Sequence, residues 1–377
     1  MCVIFWTTSD PNFDLVVASN RDEFLARPTI PAGWHSFSTA SNHTGESGPS
    51  EQHDEPGGPI LSARDASGGG TWLGITQNGS FATLTNFTEA TPPLPDHLKA
   101  FESRGRLVRD WLEQQARREK QAQQQPPRTV QQAASDVTAY LESLAGKLDH
   151  FPGFNLLVGT LSQQGGVVGY MTNRTPDGKV CVDRSPDLFL PSQKTSASTT
   201  AASAEKPKAD QQAEATGRMS NSVLSEPWNK VTTGSALFQA ALDRYSINTT
   251  ERQQELIESL FDLLWTPPPA PIRERSDLRN SILVTPIPLP SPSAPPSSST
   301  PQSGQGAKWY ATRTSTVILI PKSNREFGSK GGPAHAVFVE RDTYGLDTGA
   351  RGTESKDGTS AGADTHGSQR LFKWHLQ

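Results

Sequence analysis

Cys2 is the residue from which the most chemistry follows. Cysteine is small enough for an initiator methionine before it to be removed, leaving a free α-amine on a thiol-bearing residue. Such an N-terminal nucleophile uses its own amine as the base, and its thiolate attacks a carbonyl to form an acyl-enzyme. A free cysteine can equally be a small buried hydrophobe, so position alone leaves both roles open. The flanking residues bear on the choice. Chains commonly begin with a few poorly ordered polar residues, whereas Val3-Ile4-Phe5-Trp6 reads at once as a buried strand.

A second polar group, Asn20-Arg21-Asp22-Glu23, ends the next apolar run. An amide, a guanidinium and two carboxylates suffice to orient an amine, hold a substrate carboxylate and stabilise an oxyanion. The same residues would also serve a polar strand-to-loop turn with surface ion pairs. If 2–7 and 13–19 pair as a hairpin, the end of the second strand returns beside the start of the first and brings this group to Cys2. Gly68-Gly69-Gly70 is followed by no Gly-Lys-Ser/Thr, so it is expected to be a turn into a strand rather than a phosphate loop. With only Cys2 and Cys181, no CxxC and no ligand spacing among the histidines, neither a zinc centre nor a disulfide framework is expected.

The elements that must position these residues alternate between two patterns. Strands are expected at 2–7, 13–19, 71–76, 80–86, 154–160, 166–171, 281–285, 315–321 and 335–341; several are continuous apolar runs suited to strands covered on both faces. Leu98, Phe101, Val108 and Leu112 recur at helical spacing behind Asp96 as a cap, and Val137, Tyr140, Leu141 and Leu144 follow Ser135 or Asp136. Phe238, Leu242 and Tyr245 line a third helix. Leu256, Ile257, Leu260, Phe261 and Leu264 line a fourth, ended by Pro267-Pro268-Pro269. Five stretches, 37–58, 115–135, 187–216, 286–308 and 349–369, are rich in Ser, Pro, Gln, Gly, Ala or charge. They are expected to be disordered inserts in one domain spanning 1–377. They account for a hydrophobic content of only 33%, and removing them leaves roughly 260 residues, the size of one large domain.

Charge excludes more than it suggests. The 35 basic and 39 acidic residues give a net charge of −4, with no basic block for a nucleic-acid partner. The apolar start is too short for a signal peptide or a transmembrane segment, so the expected location is cytoplasmic.

Met1-Cys2-Val3-Ile4-Phe5, Ala18 to Phe24, Arg27-Pro28, Gly69-Gly70-Thr71-Trp72-Leu73-Gly74, Leu84-Thr85-Asn86-Phe87 and Ser103-Arg104-Gly105 occur in that order. Gly153-Phe154-Asn155-Leu156, Ser220-Asn221 with Pro227-Trp228, and Thr312-Arg313-Thr314-Ser315-Thr316 follow. This succession resembles the NRDE family, also called the transport and Golgi organisation protein 2 family, across nearly all the sequence outside the inserts. Two features depart from the family pattern: the inserts have no counterpart, and the closing strand is split, with 338–343 before the last insert and 371–376 after it. NRDE proteins in turn resemble, more distantly, the N-terminal-nucleophile (Ntn) cysteine amidohydrolases.

The resemblance implies an α+β fold, an Ntn-hydrolase-like four-layer αββα sandwich. It also implies catalytic roles for Cys2, Asp22, Asn86 and Asn221, with Asn20, Arg21, Glu23 and Arg313 contacting substrate. Arg21 stands next to Asp22, whereas the amidohydrolases carry their arginine three residues earlier. Two functions are implied. One is a role in Golgi organisation and protein secretion through binding or carrying a small molecule of the haem or acyl-coenzyme A type, with Golgi or mitochondrial association. The other is hydrolysis of a carbon–nitrogen amide, or a thioester, through Cys2, requiring no cofactor or metal. The sequence leaves the oligomeric state open.

Overall fold

The computed structural model describes residues 1–37, 57–88, 101–122, 126–182, 184–191, 216–245, 250–289, 308–322, 326–327, 332–333, 335–345 and 368–376. It begins with the hairpin expected from the sequence. β1 (Val3–Thr7) runs antiparallel to β2 (Phe13–Phe24), with Val3 opposite Asn20. Asp10 closes the turn: its Oδ1 accepts from the amides of Asn12 at 2.7 Å and Phe13 at 3.1 Å, the local bonding that makes Asp a turn residue.

β2 extends through Asn-Arg-Asp-Glu because β12 (Lys308–Pro321) pairs along it, from Tyr310 opposite Phe24 to Pro321 opposite Phe13. The register shifts between Thr312 and Thr314, which face Asp22 and Arg21, so Arg313 is the extra residue of a bulge. Bulges re-aim side chains and often lie beside sites.

β10 (Thr216–Met219), β15 (Ala336–Asp342) and β16 (Gln369–Trp374) complete a sheet of order β10-β1-β2-β12-β15-β16, with β11 (Ile287–Leu289) also on β12. The second sheet is a meander of β3 (Thr29–His35), β4 (Ile60–Asp65), β5 (Leu73–Thr76), β6 (Phe81–Asn86), β7 (Phe154–Ser162), β8 (Gly165–Thr172) and β9 (Asp187–Phe189). Two-residue strands β13 (Glu326–Phe327) and β14 (Gly332–Pro333) form a separate ladder.

Side chains alternate across a strand with period two, and β1 shows what that does here. Val3 and Phe5 pack against helices α3 (Asn229–Arg244) and α4 (Thr250–Leu264), beside Phe238, Leu260 and Phe261. Ile4 and Trp6 face the second sheet, against Leu61, Ile75 and Tyr170. Gly234 lets α3 approach: a Cβ there would lie 2.2 Å from the Phe5 ring. The other face of the second sheet packs Leu84, Leu156 and Met171 against α1 (Gly105–Gln121) and α2 (Val130–Glu142). Three cores thus separate four layers, the expected αββα sandwich of the α+β class.

Several expectations need correction. Stretch 115–135 is largely helical: α1 continues to Gln121 with Gln115, Ala116 and Glu119 buried, and α2 begins at Val130. Its Gln, Arg and Glu residues are good helix formers, and composition hid that. α1 starts at Gly105, not behind Asp96, which lies outside the described residues with Leu98. Thr129 caps α2 through a reciprocal box with Gln132, ahead of the expected Ser135 or Asp136. Residues 281–285 form no strand; the Val284 amide donates to Thr312 Oγ1 at 2.9 Å and Val284 packs on Met1. β3 and β4 had not been expected. Most of the other four inserts lies outside the described residues.

Candidate functional site

A cleft of about 520 Å³ opens at the end of the β1–β2 hairpin. Chain direction decides what lines it. β1 starts there and β2 ends there, so Cys2 meets Arg21, Asp22 and Glu23; Asn86 at the end of β6 and Asn221 after β10 join from the sides.

Asp22 anchors the group, its side chain fully buried. Thr312 Oγ1 donates to its Oδ1 at 2.6 Å, and the Tyr310 hydroxyl to its carbonyl oxygen at 3.0 Å. Oδ2 has no hydrogen bond of good geometry, and the α-amine of Met1 stands 3.3 Å from it. That amine also donates to the Tyr310 hydroxyl, and Lys230 Nζ donates to the Met1 carbonyl. Ser220 Oγ holds the next carbonyl, that of Cys2, at 2.7 Å. The Cys2 thiol lies 4.0 Å from the Asp22 carbonyl oxygen, a weak contact.

Burial sets the electrostatics. It pushes the Met1 amine down, opposed by the Asp22 charge, and pushes the Cys2 thiol up, opposed by the amine and Lys230. It lowers Lys230 despite Asp22, and raises Tyr310 well above the usual phenol range. Each shift follows from taking a charged form out of water.

The remaining expected residues divide. Arg21 lines the cleft, its guanidinium 3.8 Å over the Trp72 ring and its Nη1 donating to Thr29 Oγ1 at 3.1 Å. Burial lowers its pKa, with Glu23 opposing. Glu23 lies 3.8 Å from Arg27, which pairs more closely with Asp65 at 2.6 Å. Asn221 donates through Nδ2 to the Asn86 backbone carbonyl, while the Asn86 side chain is exposed at the cleft.

Asn20 and Arg313, expected to contact substrate, do not line the cleft. Asn20 is fully buried; its Nδ2 donates to Leu264 O at 2.7 Å and Ile282 O at 3.0 Å, and its Oδ1 accepts from Ser315 Oγ. On a strand it faces away from its neighbour Arg21, so it ties α4 to β12. Arg313, displaced by the bulge, donates to the Arg27 carbonyl and to Thr29 Oγ1, bracing the turn from β2 to β3.

Sequence reading missed Lys230 and Tyr310. Lysine is almost never fully buried unless paired, so a lysine in the first turn of α3 reads as solvated. Its position just after Pro227-Trp228 was the available signal.

The fold and cleft define the class first: an αββα sandwich that holds its own N-terminus, with a cysteine beside it, inside a polar cleft. The chain belongs to the transport and Golgi organisation 2 family, whose model matches residues 1–341. It is 26% identical over 358 residues to the transport and Golgi organization protein 2 homolog of Bos taurus, covering 92% of this chain and 95% of that one. The homolog of Homo sapiens is 27% identical over 271 residues, 70% of this chain and 71% of that one. Among solved structures the chain is similar to penicillin V acylase from Agrobacterium tumefaciens. That match has 12% identity and a TM-score of 0.37, over 90% of this chain and 83% of the other.

Proposed function

We propose that the cleft, once Met1 is removed, is the active site of a cysteine hydrolase that cleaves an amide or thioester of a small molecule. The convergence of Cys2, Asp22 and Asn221 on one cleft carries this reading. Loss of Met1 leaves the α-amine on Cys2, with Asp22 Oδ2 the carboxylate oxygen still lacking a well-formed bond. The thiol proton passes to that amine and Sγ bonds to the substrate carbonyl carbon. The oxyanion is met by the second N–H of Asn221 and by Asn86. The carbon–nitrogen or carbon–sulfur bond breaks, and the leaving group takes the proton from the amine. Water then hydrolyses the acyl-cysteine and returns the thiol. Arg21 and Glu23 position the substrate.

A second reading is binding without turnover, the carrier role that family membership in Golgi organisation and secretion suggests. It has its own observation: Met1 is only 5% exposed, with its amine, carbonyl and sulfur all engaged. A chain that keeps Met1 has no free amine on Cys2, so its cleft can only bind. Haem fits poorly. Among the described residues the lining offers two sulfurs and no histidine, and burial pushes the thiol up, away from the thiolate that is the ligand form. An acyl thioester with anionic groups suits Arg21 and the exposed Arg275 better.

Intact-mass analysis of protein from its native cell, before and after a thiol-reactive acylating probe, separates the two. Catalysis predicts loss of Met1 and one probe adduct on Cys2, abolished by Asp22→Ala. Retained Met1 with unlabelled Cys2 would overturn the hydrolase and leave the carrier.

A further inference from the structure

Lys230 is 1% exposed and sits in the first turn of α3. Three features make an ammonium costly there, so its charge does not serve the fold. It is desolvated, the positive end of the helix dipole lies beside it, and among the described residues no carboxylate pairs with it directly. Its hydrogen bond goes instead to the carbonyl of Met1, at the peptide bond that must break to expose Cys2. The Trp228 ring lies 5.7 Å from Nζ on one side, with the Arg279 guanidinium 5.4 Å from the same ring. The charged and titratable groups nearby are the Met1 amine and Cys2 at the start of β1, and Arg21, Asp22 and Glu23 on β2. Tyr310 on β12, and Arg275 and Arg279 on the short 3-10 helix Arg275–Arg279, are the others among the described residues.

We propose that Lys230 is a positioning residue for the N-terminal nucleophile, holding the residue-1 carbonyl before processing and facing the α-amine and thiol of Cys2 after it. The proposal rests on the hydrolase reading, to which it adds a residue. A cation beside an amine disfavours the ammonium and keeps the amine a base; beside a thiol it favours the thiolate. The two effects have the same sign, since each makes Cys2 give up a proton at lower pH. The same directions act in the chain that retains Met1, where Lys230 lowers both the Met1 amine and the Cys2 thiol.

The test is the pH profile of iodoacetamide alkylation at Cys2, read by intact mass on the full chain lacking Met1. Lys230→Met is expected to move the profile up by about one pH unit, and Lys230→Arg to move it back. Lys230→Gln, which replaces the charge with a shorter neutral amide, is the second variant, and thermal melting checks that each is folded. An unshifted profile in a folded Lys230→Met or Lys230→Gln protein would overturn the proposal. If the native protein keeps Met1, the hydrolase reading fails separately. Labelling of the Met1 amine against pH then becomes the readout, with the same expected upward shift in the uncharged variants.

Discussion

The two ends of the β1–β2 hairpin handle buried polar groups in opposite ways. At the turn end, Asp10 is buried and bonds the amides of Asn12 and Phe13, two and three residues away. At the cleft end, Asp22 is held by Tyr310 and Thr312, 288 and 290 positions away, and Lys230 reaches Met1 across 229. Those two bonds of Asp10 are local and go to backbone amides that need partners in any case. Around Asp22 the cleft end gathers the Met1 amine, Lys230, the Tyr310 phenol and the Cys2 thiol, and leaves one carboxylate oxygen without a good bond. Polar groups that stabilise a strand end are usually satisfied nearby. Groups brought together from four distant segments, and left incompletely satisfied, are what a site looks like.

The largest expected effect that tests this contrast is at Asp22. Asp22→Asn keeps the shape and an acceptor for Thr312 but removes the charge that faces the amine. Turnover, or Cys2 acylation by the probe, should fall by about 10²- to 10⁴-fold. A rate within about threefold of wild type would mean that the carboxylate serves the fold alone.

Asn20→Ala should invert that pattern. Losing the amide strands the carbonyls of Leu264 and Ile282, at about 3 kcal/mol for buried groups left unpaired, while Ser315 Oγ keeps Thr343 Oγ1 and Trp265 Nε1. Denaturant midpoints should drop accordingly, while Cys2 labelling per folded molecule is retained. Lost labelling in a stable Asn20→Ala protein would return Asn20 to the cleft.

The same contrast explains what could be read from the sequence. The β1–β2 hairpin was legible because both strands are apolar runs and its geometry alone brings residues 20–23 back to Cys2. α4 was legible from its apolar stripe. β3 was not: Pro31, Gly33 and Trp34 break any alternation, and its pairing with β4 shifts register between Ile30 and Gly33. Residues 281–285 read as a strand because they are apolar, yet Val284 is buried against Met1 rather than in a ladder. Within the Asn-Arg-Asp-Glu group, spacing could not tell the residue that faces α4 from those that face the cleft. Tyr310 was out of reach because its role depends on distant partners, and Lys230 offered only its place after Pro227-Trp228. The bulge at Arg313 belongs to the pairing of β2 with β12, which neither strand reveals alone.

The smallest expected effect lies at the turn. Asp10→Ala removes one acceptor shared by the amides of Asn12 and Phe13, both buried at the turn. The cost should be about 1 kcal/mol, a fall in melting temperature of about 2–4 °C for a domain of this size. The cleft lies at the other end of the strands, so the rate and pH profile of Cys2 labelling should be those of wild type. A shifted pH profile in Asp10→Ala would mean that the hairpin transmits strain along its length. The two ends would then be one unit, and the division between a local, structural end and a long-range, chemical end would fail.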